Sequence, residues 1–348
     1  MSRKILVSAL EPSANLHLGE VLKHTLGSEI LGIFDEKFGT PFMKSSEFSA
    51  MGFVEVLPLI FKAKRAIKQM VKLAKTADAV LLIDSPAFNL PLAKAMREAG
   101  VKAPITYYIL PQVWAWKPKR VEKVEKFCDN LASILPFDEK FYSRAVYVGH
   151  PLLDELKFKK EKLINSSKIA FLPGSRRSEI IRLMPIYREV AKDIKDKEKL
   201  LVIPPFLIDK VAELYGDVSE FNIVNEAPKA LYESEFAFVC SGTATLEAAL
   251  IGTPFVLCYK AKAIDVWLAR KLVKVKYAGL ANIMYDFMGK GALHDELIQE
   301  QVSALNLLNA YKKCDKDKFL TGCNELRAYL KHGSSVNVAK FLMPSRQE

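Results

Sequence analysis

Asp84 closes the apolar run Ala79-Val-Leu-Leu-Ile83 and is followed at once by Ser85-Pro86. A carboxylate there stands where ligands of open parallel sheets collect, beyond the carboxyl ends of the strands. It could act as a general base, taking the proton from a hydroxyl as that hydroxyl attacks a sugar's anomeric carbon. Capping the helix that starts near Phe88 would call for the same residue. Asn89, one turn on, suits a sugar hydroxyl or a cap. Glu11 lies in a similar strand-to-helix turn, Leu10-Glu-Pro-Ser-Ala-Asn-Leu-His17, and could orient an acceptor or the base, or simply meet backbone donors. His17 reads as a surface or packing residue, and His150, in Val148-Gly-His-Pro151, as a backbone cap.

Two further turns have the composition of anion sites. Phe236-Ala-Phe-Val-Cys240 leads into Ser241-Gly-Thr-Ala-Thr245 and then Leu246-Glu-Ala-Ala-Leu-Ile251, a helix opening on small and hydroxylated residues. Free N–H groups at a helix start attract a diphosphate. Gly242 permits close approach, Ser241 and Thr243 supply hydroxyls, and Glu247, on the face of Thr243, can accept from ribose hydroxyls. The competing reading is a Ser241 cap with Glu247 at the surface. Leu172-Pro-Gly-Ser-Arg-Arg-Ser-Glu179 follows the strand-like Lys168–Leu172 and sets two guanidinium groups beside freed backbone donors. Arg176 can grip phosphate in bidentate fashion and offset charge on a departing diphosphate, the electrostatic work of a metal ion. A solvated arginine pair with a Ser178 cap is the alternative. Neither turn matches Walker A or Gly-x-Gly-x-x-Gly, so ATP hydrolysis and nicotinamide chemistry are not implied, and neither metal nor cofactor is expected.

These turns need strands and helices to hold them. Short apolar runs at Lys4–Leu10, Glu29–Phe34, Ala79–Ile83 and Ile105–Leu110 alternate with amphipathic stretches, which predicts a parallel sheet covered by helices. The pattern restarts with Lys168–Leu172, Leu200–Ile203, Phe221–Val224, Phe236–Cys240 and Pro254–Cys258. The expected architecture is therefore α/β, two Rossmann-like doubly wound domains (1–160 and 161–348) with a cleft between them; strands stop at Glu296 and helices close the chain. Its 348 residues exceed what one core usually organises.

Composition narrows the partners only in part. The 51 Lys and Arg against 40 Asp and Glu give a net charge of +11, which suits nucleic acid, anionic lipid or phosphorylated substrates alike. The five scattered cysteines predict a reducing compartment and no zinc site. Lys4–Leu10 is too short for a secretory signal, and no apolar run reaches the roughly 18 residues of a membrane span. Between Phe53 and Lys75, however, Lys64, Lys68, Lys72 and Lys75 line one helix face, while Ile67, Met70 and Ala74 read as core. Phe53, Val56, Leu57, Leu59, Ile60 and Phe61 are harder to bury and predict a loop that dips into an anionic bilayer and admits acyl chains.

Taken together, Leu10-Glu-Pro-Ser-Ala-Asn15, Met51-Gly-Phe-Val-Glu-Val-Leu57, Ile83-Asp-Ser-Pro-Ala-Phe-Asn89, Pro111-Gln-Val-Trp-Ala-Trp-Lys117, Leu172-Pro-Gly-Ser-Arg176, Ser241-Gly-Thr-Ala-Thr-Leu-Glu247 and Ala281-Asn-Ile283 resemble the lipid-A-disaccharide synthase family. The match runs over nearly the whole chain. It implies the GT-B fold and an inverting transfer from UDP-diacylglucosamine to the 6-hydroxyl of diacylglucosamine 1-phosphate, on the cytoplasmic face of the inner membrane. It implies Asp84, Glu11 and Arg176 as catalytic residues. The donor side would take Gly174, Ser175, Arg176, Ser241, Gly242, Thr243, Glu247, Asn282, Glu296 and Gln299, and the acceptor side Ser13, Asn15 and Asn89. Two departures are visible: Ala14-Asn15 stands where the family has Gly-Asp, and Ala87 where it commonly has Asp. A UDP-N-acetylglucosamine 2-epimerase or another UDP-sugar transferase would want the same phosphate turns but not Phe53–Phe61. A basic nucleic-acid binder would want more aromatics among Lys117, Lys119, Arg120, Lys123 and Lys126, so no nucleic acid is expected. A homodimer stays open.

Overall fold

A computed structural model describes residues 2–49, 56–261 and 276–343. The chain divides into two compact units, one holding the residues through Glu155 together with the C-terminal stretch from Leu330, the other Leu156–Tyr329. The sequence pattern puts the boundary at 160/161 and gives the whole C-terminus to the second domain. The last helix, Ser334–Leu342, belongs instead to the first unit. Its apolar face explains why: Val338, Ala339 and Leu342 join Ile5, Val7, Leu18, Ile83 and Tyr108 in one buried cluster. Asp154 accepts from the N–H groups of Gly333 and Ser335 at 2.8 and 3.0 Å, and the Tyr108 hydroxyl meets Ser334 Oγ at 2.7 Å. Helical periodicity identifies a helix without saying which sheet it covers.

Among the described residues the first unit carries a seven-stranded sheet in the order β3-β2-β1-β4-β5-β6-β7. The strands are β1 (Lys4–Ser8), β2 (Glu29–Phe34), β3 (Met43–Lys44), β4 (Ala79–Ile83), β5 (Ile105–Tyr108), β6 (Asn130–Ser133) and β7 (Ala145–Tyr147), all paired parallel. The second unit carries a six-stranded parallel sheet, β10-β9-β8-β11-β12-β13. Its strands are β8 (Lys168–Leu172), β9 (Glu198–Val202), β10 (Asn222–Val224), β11 (Phe236–Cys240), β12 (Phe255–Tyr259) and β13 (Glu296–Ile298). β4 and β11 are buried at every residue, as strands covered on both faces should be. β13 overturns the expectation that strands stop at Glu296: it pairs with β12 from Leu257↔Glu296 to Tyr259↔Ile298. Three residues are too few to show a period.

Both sheets reverse direction once. From β1 the order runs outward through β2 and β3 on one side and β4 to β7 on the other; from β8 it runs through β9 and β10, and through β11 to β13. Loops leaving the carboxyl ends at such a switch point diverge and open a crevice. The turns holding Glu11 and Asp84 flank the β1/β4 switch, and those holding Arg176 and Ser241 flank the β8/β11 switch.

One buried acid sits off these edges. Asp138 is 2% exposed, and its Oδ1 has no partner. The Ser133 hydroxyl lies 2.5 Å from Asp138 Oδ2 and 2.9 Å from the Leu135 carbonyl, while accepting from the Leu135 N–H at 3.0 Å. One hydroxyl proton cannot serve two acceptors. A protonated Asp138 donating to Ser133 completes the chain of bonds, and burial pushes this carboxyl up to about 7 from 3.8. The folded state then holds a proton that the unfolded state releases between those values, so this group's contribution to stability is lost as pH rises from about 4 to about 7. Asp138→Asn, whose amide can donate to Ser133, should gain on the wild type by ~1 kcal/mol or more between pH 5 and 7.5 in urea melts. A difference that does not change with pH would count against the protonated acid.

Candidate active site

The end of β4 is an unusual piece of backbone. Asp84 and Ser85 take φ of 48° and 43°, two consecutive left-handed residues without glycine, and Ser85 does so directly before Pro86. Specific bonds hold them. The Asp84 N–H donates to the Tyr108 carbonyl at 2.9 Å, and the Asp84 carbonyl accepts from Asn89 Nδ2 at 2.8 Å and the Tyr107 hydroxyl at 2.6 Å. Ile109, just past β5, is also left-handed at φ 64°, although it is β-branched. Strain of this kind costs about 1–3 kcal/mol per residue and clusters at functional sites.

The Asp84 carboxyl is raised above the ordinary carboxylate range. Burial is the largest cause and the charge of Glu11 the next; the Ser85 N–H, His17 and Arg120 act against them. A more basic carboxylate is a better proton acceptor. Glu11 and Ser13 are exposed, and the Ser85 hydroxyl donates to Glu11 Oε1 at 3.4 Å. Asn15 and Asn89 are placed otherwise than a sugar contact requires. Asn15, 2% exposed, donates to the carbonyls of Ala9 and Glu11 at 3.0 and 2.9 Å and accepts from the Asp35 N–H at 2.7 Å. Asn89, fully buried, donates to the carbonyls of Ile83 and Asp84 and accepts from Ser8 Oγ at 2.7 Å. Both brace the two turns from inside. His17 pairs with Glu155. His150 is buried, accepts from the Leu152 N–H at 3.3 Å, and is lowered by burial to about 3, in keeping with a backbone cap. Arg120, at the start of the helix Arg120–Phe127, is the nearby cation that sequence reasoning passed over as one of a basic cluster.

In the second unit Gly174 has φ +93°, and a Cβ there would meet Glu179 Oε2 at 2.5 Å and Cys240 Sγ at 3.1 Å. Glu179, 7% exposed, accepts from Arg176 Nη1 at 2.9 Å and from the Arg176 N–H at 3.3 Å. A buried carboxylate thus aims an arginine whose side chain is otherwise 73% exposed. Arg176 is the N-cap position of the helix Arg177–Asp193, so Ser178 falls inside the first turn and is no cap. Arg177 turns away to pair with Glu213. Ser175, Gly242 and Thr243 are exposed, and Ser241 is half-buried. The N-cap of the helix Thr243–Ile251 is Gly242, which has no side chain to cap it and open space where its Cβ would be. Glu247 lies one turn in and is half-buried.

Gln299 holds the backbone of Ala261, and Glu296, braced by Asn282, that of Ala278 and Gly279. Gln299 accepts from the Ala261 N–H at 2.8 Å and donates to its carbonyl at 3.1 Å; Glu296 accepts from the N–H groups of Ala278 and Gly279 at 2.8 and 2.9 Å. Asn282, fully buried, donates to Glu296 at 2.9 Å and to the His294 carbonyl.

Of the residues expected at a bilayer, Phe53 and the side chains of Val56, Leu57, Leu59 and Ile60 lie outside the described residues. Phe61 is 70% exposed and Phe42 42%. With Met43, Glu47, Lys62, Arg65 and Gln69 they line a cavity of about 520 Å³. Farther along the helix Val56–Ala74, Ala66, Met70 and Ala74 enter the core, Ile67 packs against it, and Lys64, Lys68, Lys72 and Lys75 stay exposed. Among the described residues no helix is long and apolar enough to cross a membrane.

A family model for lipid-A-disaccharide synthetase matches residues 5–330. A lipid-A-disaccharide synthase of Campylobacter jejuni (strain RM1221) is 55% identical over 362 residues, covering 98% of this chain and 99% of the relative. One of Helicobacter pylori (strain J99) is 47% identical over 353 residues, 97% of each. Among solved structures, the calicheamicin glycosyltransferase CalG4 matches with a TM-score of 0.61 at 14% identity over 99% of each chain. A UDP-GlcNAc 2-epimerase from Neisseria meningitidis bound to UDP-GlcNAc matches with a TM-score of 0.58 at 12% identity, over 99% of this chain and 100% of that one. The structural likenesses carry the fold, and the sequence relatives carry the family: the chain belongs to the lipid-A-disaccharide synthases, glycosyltransferases of lipid A biosynthesis with the GT-B fold.

Proposed function

We propose that this enzyme transfers a 2,3-diacylglucosamine from its UDP derivative to the 6-hydroxyl of a 2,3-diacylglucosamine 1-phosphate, with inversion. The products are the β-1,6-linked disaccharide 1-phosphate and UDP. The observation that carries the chemistry is Asp84, a carboxyl of raised basicity locked in a strained turn at a switch point. In this reading Asp84 accepts the proton of the 6-hydroxyl as its oxygen bonds to the anomeric carbon. The bond from that carbon to the β-phosphate oxygen breaks, and the electron pair leaves with UDP. Arg176, aimed by Glu179, and the N-terminus of Thr243–Ile251, which begins at Gly242, receive the growing charge on the diphosphate. Glu247 takes the ribose hydroxyls. Glu11 keeps Asp84 basic by repulsion and contacts the acceptor, with Ser13 beside it; Asn15 and Asn89 act through the turns they brace. Asn282, Glu296 and Gln299 act on the donor side through the backbone held at Ala261, Ala278 and Gly279. Phe42, Phe61 and their cationic neighbours suit an anionic, acylated surface, which supports the reading of a peripheral enzyme on the cytoplasmic face of the inner membrane.

Incubation with both acylated sugars, followed by mass analysis, tests the reaction; a C2 epimer of the donor in place of a disaccharide would overturn it. Asp84→Asn should lower single-turnover transfer by about 10²-fold or more while UDP affinity in calorimetry is retained, because a carboxamide cannot take the proton. Unchanged transfer with collapsed UDP affinity would make Asp84 a binding residue. For Arg176→Ala a loss of about 10²–10³-fold in kcat is expected, and near-normal turnover at saturating donor would remove it from the mechanism. Replacing Phe42 and Phe61 together by Ser should move the protein from the pellet to the supernatant when it is spun with vesicles of anionic phospholipid. Sedimentation that stays unchanged in low and high salt would return this surface to another role.

A further inference from the structure

Phe206 is 71% exposed, yet it is not on a loose loop. It lies four residues past Val202, the last residue of β9, in a 3-10 turn spanning Pro205–Lys210. Ile203 and Leu207 are buried on either side of it, Pro204 and Pro205 fix the torsions leading to it, and the Leu207 N–H donates to the Pro204 carbonyl at 2.9 Å. The ring is held out rigidly, and it takes no part in the apolar core that Leu207 joins.

Its position along the sheet gives that exposure a chemical reading. β9 is the immediate parallel neighbour of β8, so the segment leaving β9 starts about 4.8 Å along the carboxyl edge from the Arg176 turn. A second link ties the two: Arg177, next to Arg176, pairs with Glu213 on the short helix Val211–Leu214 that continues from the Phe206 segment. On the other side of β8 lies β11, whose turn takes the diphosphate together with Arg176 in the reading above. A diphosphate held between those two turns leaves its nucleoside to lie along the edge, and in the direction of β9 the segment leaving the next strand presents this exposed ring.

We infer that Phe206 is the stacking platform for the nucleobase of the nucleotide-sugar donor, an inference that rests on the UDP-sugar reading above. Base–aromatic stacking needs only two π-faces and no hydrogen bond, which is what an exposed Phe between two anchored neighbours offers.

Calorimetric titration of UDP into wild type, Phe206→Ala, Phe206→Leu and Phe206→Tyr tests it. Ala and Leu should each weaken UDP by about 10-fold, and Tyr should keep the affinity, since only the aromatic face matters. In Phe206→Trp, saturating UDP should quench emission beyond the change seen in wild type. UDP binding to the Leu variant as tightly as to wild type, or unchanged emission from the Trp variant, would overturn the platform. A wild type that fails to bind UDP would overturn the UDP-sugar reading itself, and the platform with it. At 71% exposure the substitutions remove little packing, and matching melting curves for the five proteins separate lost stacking from lost fold.

Discussion

The carbonyl oxygen of Asp84 takes two side-chain donors, the Asn89 amide and the Tyr107 hydroxyl, while its N–H reaches across to β5. Much of the first unit's site hangs on that arrangement. Two left-handed residues in succession are unfavourable for any pair without glycine, and the one ahead of proline doubly so. Each bond contributes on the order of 1 kcal/mol net, so three together are comparable to the strain they hold. The donors come from neighbouring elements that are themselves fully packed: Tyr107 and Asn89 are both buried. The backbone of the proposed proton acceptor is therefore fixed before any substrate arrives, and catalysis need not supply that ordering.

The two units use the same topology to opposite electrical ends. At the β1/β4 switch the chain gathers carboxylates, and burial plus the repulsion between Glu11 and Asp84 makes one of them more basic. At the β8/β11 switch it gathers a guanidinium and a helix start whose N-cap is a glycine, with a buried glutamate serving as a strut for the arginine. Proton removal and diphosphate departure are the two electrostatic tasks of glycosyl transfer. In the reading proposed above, each falls to a turn of the same kind, in which a parallel strand ends at a helix start.

The strands buried on both faces were legible from their unbroken apolar runs, and the four turns from the small and charged residues that interrupt them. What escaped was of two kinds. β3, β6, β7 and β13 have two to four residues each, too short for periodicity to register. The supporting side chains also escaped: Asn15 and Asn89 look like sugar contacts in sequence because carboxamides suit both roles, and only burial shows that they face inward. Glu179 and Arg120 were in view, one in the phosphate turn and the other in a basic run, but their importance lies in what stands next to them in space. Gln299 gives a last case, with a left-handed φ of 58° that no neighbouring residue announces.

The return of Ser334–Leu342 to the first sheet has a consequence for how the chain is made. Val338, Ala339 and Leu342 cover Ile5, Val7 and Leu18, residues that leave the ribosome more than three hundred positions earlier. Leu156–Tyr329 is contiguous and can pack as soon as it emerges, whereas the apolar cluster on the amino-terminal sheet stays incomplete until Ser334–Leu342 has been made. The unit synthesised first is thus the one completed last. That interval of exposed surface is where a folding chain is open to holdase chaperones, and a chain cut short before Ser334 would keep the second unit whole and leave the first unsealed.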